Sequence, residues 1–184
     1  ELNLIQKKLT FCYHGLLSSD RDIINIAQFF ENNPNYGQVI FIGFGDLKDY
    51  IIKLSSNNKN IFFVEPLEFN ELINFIKNVD VTFSLFTSRS LNEVYALPNK
   101  MFESFCAKTP VIVNECGEAS KIIKYYDAGW TIKNINCDLK NIINMLTKRE
   151  LQEKSRNIEK MMKELNWNKE EKKLKKVYFF DEKK

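Results

Sequence analysis

Apolar runs alternate with amphipathic segments along this chain, and the alternation predicts repeated β-α-β units around a mostly parallel sheet. Six short apolar runs have the composition of strands: residues 9–13, 38–42, 60–64, 81–85, 110–113 and 130–132. The second run is nearly all apolar, which is typical of a strand covered on both faces. The pattern therefore predicts an α/β fold: a Rossmann-like parallel sheet of about six strands flanked by helices, with a C-terminal helical extension.

Helix signals fill most of the segments between these strands. Asp20 is predicted to cap a helix whose inward face carries Ile23, Ile24, Ala27 and Phe30. The polar stretch 87–97 has no periodicity, so we expect a long loop there.

The charged segment 149–184 is predicted to form one or two helices and a tail, which belong to the same domain as residues 1–148. The chain begins at Glu1 rather than Met, which suggests a fragment whose preceding part carries some of the function.

Composition narrows the classes of protein. Apolar residues make up 44% of the 184 residues and include fifteen Phe, enough for a substantial core. A net charge of +3 falls short of the basic stripe typical of nucleic-acid binding, so no nucleic-acid partner is expected. Four scattered cysteines and one histidine argue against a zinc site and predict buried thiols in a reducing cytoplasm. No apolar run approaches the roughly 18–20 residues of a membrane span, and no signal peptide is apparent.

The loops that follow the strands are the places to look for ligands in such a sheet. Gly15 after the first strand would let a ligand approach the backbone, or it forms a simple tight turn. Arg21 is either a diphosphate contact near a helix start or a surface charge. The Gly43-Phe44-Gly45 motif lacks the third glycine of the dinucleotide fingerprint, which disfavours a dehydrogenase cofactor. The two glycines instead predict a loop whose backbone stays close to the sheet and leaves room for a ligand above it.

The helix that begins at Pro98 is the most informative segment. A proline-started helix presents free backbone N–H groups that suit phosphate, and Lys100 adds a positive charge near that end. Glu103 lies about one turn further on, where a carboxylate can reach the vicinal hydroxyls of a ribose. The alternative is an ordinary amphipathic helix with Lys100 and Glu103 solvated.

The order and spacing of these motifs resemble the C-terminal domain of the family 4 retaining glycosyltransferases, which have the GT-B fold. The resemblance is strongest to the bacterial surface-polysaccharide members, and it covers about residues 9–132. It is carried by Gly15, Gly43-Phe44-Gly45, Leu97-Pro98-Asn99-Lys100-Met101-Phe102-Glu103, Ala107-Lys108-Thr109-Pro110-Val111-Ile112 and Ala128-Gly129.

The resemblance implies a UDP- or GDP-sugar donor. Gly15 would line the donor phosphates, Arg21 would be a phosphate-binding basic residue, and the amides of Asn99 and Lys100 would hold the diphosphate. Glu103 matches the second glutamate of the family's Glu-(seven residues)-Glu motif, which binds the donor ribose. The catalytic candidates are thus Arg21, Lys100 and Glu103.

In the family, a loop after the third strand usually surrounds the nucleobase of the donor, and Glu65 and Leu67 occupy that loop here. The donor-binding candidates therefore also include Glu65, Leu67, Pro98, Gly15, Gly43 and Gly45. No DxD-type metal site is apparent, and neither a metal nor a cofactor other than the donor is expected. Positive groups and helix N–H donors would stabilise the leaving diphosphate instead. Retention would proceed by front-face attack within an ion pair, which leaves no nucleophile to find in this chain. His14 is either a structural or loop residue or a donor contact, and it is not the candidate for a general base.

The resemblance also implies a missing N-terminal domain that binds a saccharide or lipid-linked acceptor, so this fragment should be inactive alone. Trp167 and Tyr178 look like the family's C-terminal helix, which crosses back toward that domain. The expected location is the cytoplasm, and the lysine-rich tail leaves open a peripheral contact with anionic lipid at the inner face of the membrane.

The sequence departs from the family pattern at two positions. Tyr95 stands where the first glutamate of the motif is expected, with Glu93 two residues earlier as a substitute, and Thr109 stands where a small glycine is usual. These departures bear on sugar recognition more than on nucleotide binding. Two alternatives remain open: a nucleotide-sugar 2-epimerase of the same fold, which the single histidine disfavours, and a non-catalytic Rossmann-like interaction module, which Tyr95 favours.

Overall fold

The sheet has six parallel strands, as the apolar pattern predicts. The computed structural model describes residues 4–5, 8–86 and 90–178. Its strands are β1 (Thr10–Leu16), β2 (Gln38–Phe44), β3 (Ile61–Val64), β4 (Val81–Ser84), β5 (Val111–Asn114) and β6 (Gly129–Ile132). They pair in parallel in the order β3-β2-β1-β4-β5-β6. The strand order reverses between β1 and β4, and such a switch point is where open α/β sheets bind ligands. The predicted Rossmann-like α/β fold is therefore confirmed.

Helices cover both faces of the sheet. They are α1 (Ile23–Asn32), α2 (Lys48–Asn57), α3 (Phe69–Ile76), α4 (Leu91–Tyr95), α5 (Asn99–Cys106), α6 (Gly117–Tyr126), α7 (Ile135–Met145), α8 (Lys148–Glu164) and α9 (Trp167–Tyr178). Successive side chains of a strand point to opposite faces, and β1 follows this rule. Phe11 and Tyr13 pack toward α1, α2 and α7, whereas Cys12 packs against α3 on the other face. Helices α5, α6 and α8 cover that second face above β5.

The C-terminal helices differ in how they pack. Lys154 of α8 is buried, donates a 2.7 Å hydrogen bond to Asp127 and lies 4.6 Å from the centre of the Trp130 ring, which fixes α8 to the end of β6. Helix α9 has no buried residue, and its apolar side chains are exposed: Trp167, Leu174, Val177 and Tyr178. No helix among the described residues is long and apolar enough to cross a membrane. The domain boundary after residue 148, which falls near the start of α8, stays a prediction.

Several local predictions need correction. Strand β1 continues through Leu16, because its last residues pair with β2 up to Phe44 instead of turning away. Asp20 does not cap α1: its carboxylate accepts a hydrogen bond from Ser18 in a preceding 3₁₀ turn, and α1 begins only after Asp22. Ile24 is exposed, because a helix that starts there turns Ile26 and Phe29 toward the sheet instead.

The predicted loop 87–97 contains helix α4 from Leu91 onward; residues 87–89 lie outside the described part of the chain. A capping box starts this helix: the Ser90 hydroxyl accepts from the Glu93 amide, and the Glu93 carboxylate accepts from the Ser90 amide. The cysteine prediction is only partly right. Cys12 is buried, and burial raises the pKa of its thiol, but Cys106 and Cys137 are exposed because they lie on outward helix faces.

The turn between α5 and β5 explains the sequence around Thr109. Thr109 is buried, and its hydroxyl donates a 2.9 Å hydrogen bond to the Ile76 carbonyl, which ties the turn to α3. The residue in the left-handed backbone region is its neighbour Lys108, with φ of 59°. Glycine is the residue that adopts this conformation without strain, so the strained position is 108 rather than 109.

Replacing Lys108 by glycine is expected to raise the free energy of unfolding by about 0.5–1 kcal/mol, since a side chain in the left-handed region is disfavoured by about 1–2 kcal/mol. The lost ion pair between Lys108 and Glu159 is solvent-exposed and contributes little. Urea denaturation measures the change. Lys108→Ala is the control, because it removes the same ion pair but keeps the strained Cβ. A gain in Lys108→Ala equal to that in Lys108→Gly would contradict the strain argument.

Candidate functional site

The amino end of α5 opens into a cavity beyond the carboxyl ends of β1 and β4. Pro98 precedes the helix in an extended conformation, and no side chain caps the helix start. The first amide with a backbone partner is that of Met101, which donates to the Pro98 carbonyl at 3.0 Å. The two amides before it, those of Asn99 and Lys100, have no hydrogen-bond acceptor among the described residues. Unpaired N–H groups and the helix dipole make this end favourable for an anion.

The cavity itself has a volume of about 410 Å³. Three short segments line it: the end of β1 with its following turn, the end of β4, and the chain from α4 to the first turn of α5. Its lining residues are Leu16, Asp20, Arg21, Ser84, Leu85, Phe86, Asn92, Glu93, Ala96, Pro98, Asn99 and Lys100. It lies at the topological switch point, and four of the site residues predicted from sequence line it: Arg21, Pro98, Asn99 and Lys100.

Lys100 crosses the end of β1 from the α5 side of the sheet. A Cβ built on Gly15 would lie 2.8 Å from Lys100 Cε, so the lysine chain runs directly over this glycine. Its ammonium donates a hydrogen bond to the Tyr13 hydroxyl and lies 4.3 Å from the centre of that ring. Burial and, to a smaller extent, the nearby Arg21 lower the pKa of Lys100 to about 8, while Glu103 and Asp20 oppose the shift. A half-buried cation at a cavity wall can pair with an anion that enters the cavity.

Glu103 lies outside the cavity lining and is hydrogen-bonded to His14. His14 Nε2 lies 2.9 Å from Glu103 Oε2, the His14 side chain is 1% exposed, and the Glu103 side chain is 25% exposed. The hydrogen bond from His14 lowers the pKa of Glu103, and the charges of His14 and Lys100 act in the same direction against the effect of burial. The carboxylate is therefore held ionised beside Lys100 rather than projecting freely into solvent.

Arg21 lies in the 3₁₀ turn before α1 and lines the cavity. Its guanidinium carbon is 4.7 Å from the centre of the Phe86 ring. Its Nε lies 3.5 Å from Asp20 Oδ2 but makes no hydrogen bond with a described residue. A guanidinium stacked in this way keeps its donors available for an oxyanion.

Gly43 and Gly45 have a packing explanation of their own. Both have positive φ, 148° and 141°. A Cβ on Gly43 would lie 1.9 Å from the Gly15 carbonyl oxygen, and one on Gly45 would lie 2.4 Å from the Leu17 carbonyl oxygen. These glycines bring the ends of β1 and β2 together beneath the cavity region, and neither lines the cavity.

Glu65 and Leu67, the residues predicted to frame a base, lie beyond β3 and outside the cavity lining. The Glu65 carboxylate pairs with Lys48 at 2.7 Å, and Leu67 packs against the cluster that contains Ile76. The structure therefore does not bring them together with Arg21 and Lys100, and their donor contact stays a prediction.

Tyr95, which departs from the family motif, and its possible substitute Glu93 differ in their relation to the cavity. Tyr95 is 68% exposed and does not line the cavity, whereas Glu93 does. The Glu93 carboxylate accepts the Ser90 amide at 2.9 Å, so part of its hydrogen-bonding capacity is used in starting α4.

Sequence reasoning missed Tyr13, His14 and Phe86 as parts of the site. Tyr13 and His14 precede Gly15 at the end of a strand beside the switch point, and that placement is the signal that could have found them. The capping-box spacing from Ser90 to Glu93 could similarly have found α4. Among the described residues, no three His, Cys, Asp or Glu side chains cluster in a way that could hold a metal ion.

Comparisons with known proteins agree with this geometry. The sequence model of the glycosyl transferases group 1 family matches residues 1–174. No curated protein sequence matches the chain significantly.

Among solved structures, similar folds include the C-terminal domain of the group 1 glycosyl transferase LpcC from Francisella tularensis (TM-score 0.62, 15% identity, 84% of each chain). They also include Anabaena HepE in complex with UDP and glucose (TM-score 0.67, 15% identity, 84% of this chain and 43% of HepE). A glycosyltransferase from Rickettsia africae has a TM-score of 0.72 at 12% identity, over 96% of this chain and 49% of the other. This chain thus spans less than half of HepE and of the Rickettsia protein.

The fold and the cavity define a Rossmann-like domain with an anion-favouring pocket at its switch point. The chain belongs to the glycosyl transferases group 1 family. The resemblance to the C-terminal domain of GT-B glycosyltransferases is confirmed, and the 2-epimerase and the non-catalytic module are not favoured.

Proposed function

We propose that this chain is the donor-binding half of a glycosyltransferase that transfers a sugar from a UDP- or GDP-sugar, with retention, to a saccharide or lipid-linked acceptor. The observation that carries the proposal is the convergence of the uncapped α5 amides, Lys100 and Arg21 on one cavity at the switch point. A diphosphate is the part of a nucleotide sugar that needs such a group of donors. The structures of HepE with UDP and with UDP-glucose are consistent with this choice of ligand class.

In the proposed complex, the amides of Asn99 and Lys100 and the two side-chain cations bind the diphosphate. These groups stabilise the negative charge that develops on the leaving nucleoside diphosphate as the sugar bond breaks, a role that needs no metal. Glu103, one turn further along α5, accepts hydrogen bonds from the ribose hydroxyls. Gly15 matters because its missing side chain lets Lys100 reach across β1.

The acceptor is proposed to bind to a domain outside this chain, so the fragment alone is expected to bind a donor but not to turn it over. We place the enzyme in the cytoplasm. A peripheral contact of the lysine-rich α9 region with anionic lipid at the inner membrane face is part of the same proposal.

Titration calorimetry of this chain with UDP and GDP tests the proposal. Saturable binding of at least one nucleotide is expected. Arg21→Ala should weaken it by roughly tenfold or more, because a hydrogen bond to a charged group contributes about 1.5–3 kcal/mol. Glu103→Ala should weaken it by roughly tenfold or more for the same reason, because the carboxylate loses its hydrogen bonds to the ribose.

Glu170→Ala is the control, since it removes an α9 carboxylate whose one ion pair among the described residues is with Lys173 of the same helix. Its affinity should equal that of the wild type. No binding of either nucleotide at millimolar concentration would overturn the proposal.

A further inference from the structure

Three consecutive residues at the end of β1 contact the first two turns of α5. The Tyr13 hydroxyl accepts a hydrogen bond from the Lys100 ammonium, and Gly15 leaves room for the Lys100 side chain. The His14 imidazole is hydrogen-bonded to the Glu103 carboxylate. Because alternate side chains of a strand point to opposite faces, His14 projects to the α5 face while Tyr13 projects to the other. The His14 contact is thus a direct side-chain link from the central strand to Glu103.

The His14 imidazole makes one hydrogen bond with the described residues, and Glu103 accepts it. The imidazole is buried, and its Nδ1 has no hydrogen-bond partner among the described residues. A buried polar atom without a hydrogen-bond partner destabilises the folded state. Fold stability alone therefore does not explain why a histidine occupies this position. Since a carboxylate only accepts, Nε2 must carry the proton that it donates to Glu103 Oε2.

This bond fixes one carboxylate oxygen and leaves the other available. Glu103 Oε2 is held by His14, whereas no described residue donates to Oε1. A carboxylate anchored through one oxygen cannot rotate freely about its terminal bond, so the direction of its remaining lone pairs is defined. Preorganised orientation of this kind increases the strength and the geometric selectivity of a contact with a diol.

His14 is poorly placed to act on substrate itself. Its side chain is 1% exposed against 25% for that of Glu103, and its protonated nitrogen is occupied by Glu103. Its influence on a ligand therefore has to pass through the carboxylate.

We infer that His14 is a positioning residue, which orients Glu103 so that the site selects a ribose diol on its nucleotide ligand. The inference rests on the proposed function, since it assumes that Glu103 contacts the ribose. It adds a residue of β1 to the determinants of ligand selectivity.

Comparison of three ligands in calorimetry separates this role from a general structural one. The ligands are UDP, 2′,3′-dideoxyuridine diphosphate and inorganic pyrophosphate; if the wild type binds GDP instead, GDP and its dideoxy counterpart replace the uridine pair. The wild type should bind the ribonucleotide roughly tenfold or more tightly than the dideoxynucleotide, because hydrogen bonds to the charged carboxylate are lost.

In His14→Phe, which keeps a planar ring but removes the donor, this ratio should fall to about twofold or less while pyrophosphate affinity stays within about twofold of wild type. His14→Gln, whose amide can still donate, should recover part of the selectivity. Circular dichroism and thermal melting establish that each variant is folded.

Two results would overturn the inference alone: a wild-type ratio retained in His14→Phe, or an equal loss of affinity for all three ligands in a folded His14→Phe. If the wild-type chain binds neither UDP nor GDP, the proposed function fails and this inference fails with it. The two failures are therefore distinguished by the wild-type titration.

Discussion

Gly43→Ala is expected to destabilise the domain by at least about 3 kcal/mol, which is enough to leave much of the protein unfolded at 37 °C. The added methyl group would lie 1.9 Å from the Gly15 carbonyl oxygen, on the paired residue of the neighbouring strand. Both positions are backbone of central strands, so neither can move without breaking the β1–β2 ladder. A φ of 148° at Gly43 adds backbone strain to the collision. Urea denaturation followed by circular dichroism measures the loss.

Ser84→Ala is the control at the same edge of the sheet. Its hydroxyl is buried without a hydrogen-bond partner among the described residues, so its removal should change the free energy of unfolding by less than about 1 kcal/mol. A Gly43→Ala variant as stable as Ser84→Ala would mean that the two strand ends can separate without cost, contrary to the close packing observed.

Gly15, the partner of Gly43 in the sheet, should respond differently to the same change. A Cβ at Gly15 meets the flexible end of the Lys100 side chain rather than backbone. The lysine can move away, so the collision costs less than at Gly43, although the φ of 101° at Gly15 still strains any residue that has a Cβ. The added methyl group also displaces the Lys100 ammonium from Tyr13. Adjacent glycines in one ladder thus have separate roles: Gly43 allows the strands to meet, and Gly15 allows a cation to cross them.

The fold was predictable because its information is local and repeated. Six buried strands and the helices between them leave a hydrophobic pattern that needs no knowledge of contacts, and all six strands are present. The ends of elements were less predictable. His14 and Gly15 look like a turn in sequence, and only their pairing with Ile42 and Gly43 shows that β1 continues through them.

The candidate site was predictable only in part, because some of its features have a local sequence pattern and others depend on contacts between distant residues. Pro98 and Lys100 carry a sequence signal, because a helix start and a nearby cation favour anions wherever they occur. The contact between His14 and Glu103 joins residues 89 positions apart, and no local pattern encodes it. Glu65 and Leu67 were assigned to the donor site by their position in the family pattern. They follow β3 and lie outside the cavity lining.

Lys100→Met is expected to weaken binding of UDP or GDP roughly 10- to 150-fold at pH 7, since one hydrogen bond between charged groups contributes about 1.5–3 kcal/mol.

The pH dependence of wild-type binding gives a second test of the same residue. The pKa of Lys100 is lowered to about 8 by burial and by Arg21, so the free protein loses this positive charge as the pH rises through that value. A diphosphate binds more tightly to the protonated form, and affinity should therefore fall above pH 8, by up to about tenfold per pH unit.

The other charged groups near Lys100 do not produce this decline. A guanidinium group does not deprotonate in proteins. The pKa values of Glu103 and Asp20 are lowered, and burial raises the pKa of Tyr13. Lys100→Met should accordingly show a flat affinity between pH 7 and pH 9. Lys173→Met, which removes the same charge from exposed helix α9, should retain both the wild-type affinity and its decline. If Lys100→Met keeps that decline, the titrating group lies elsewhere and Lys100 is not the cation that binds the diphosphate.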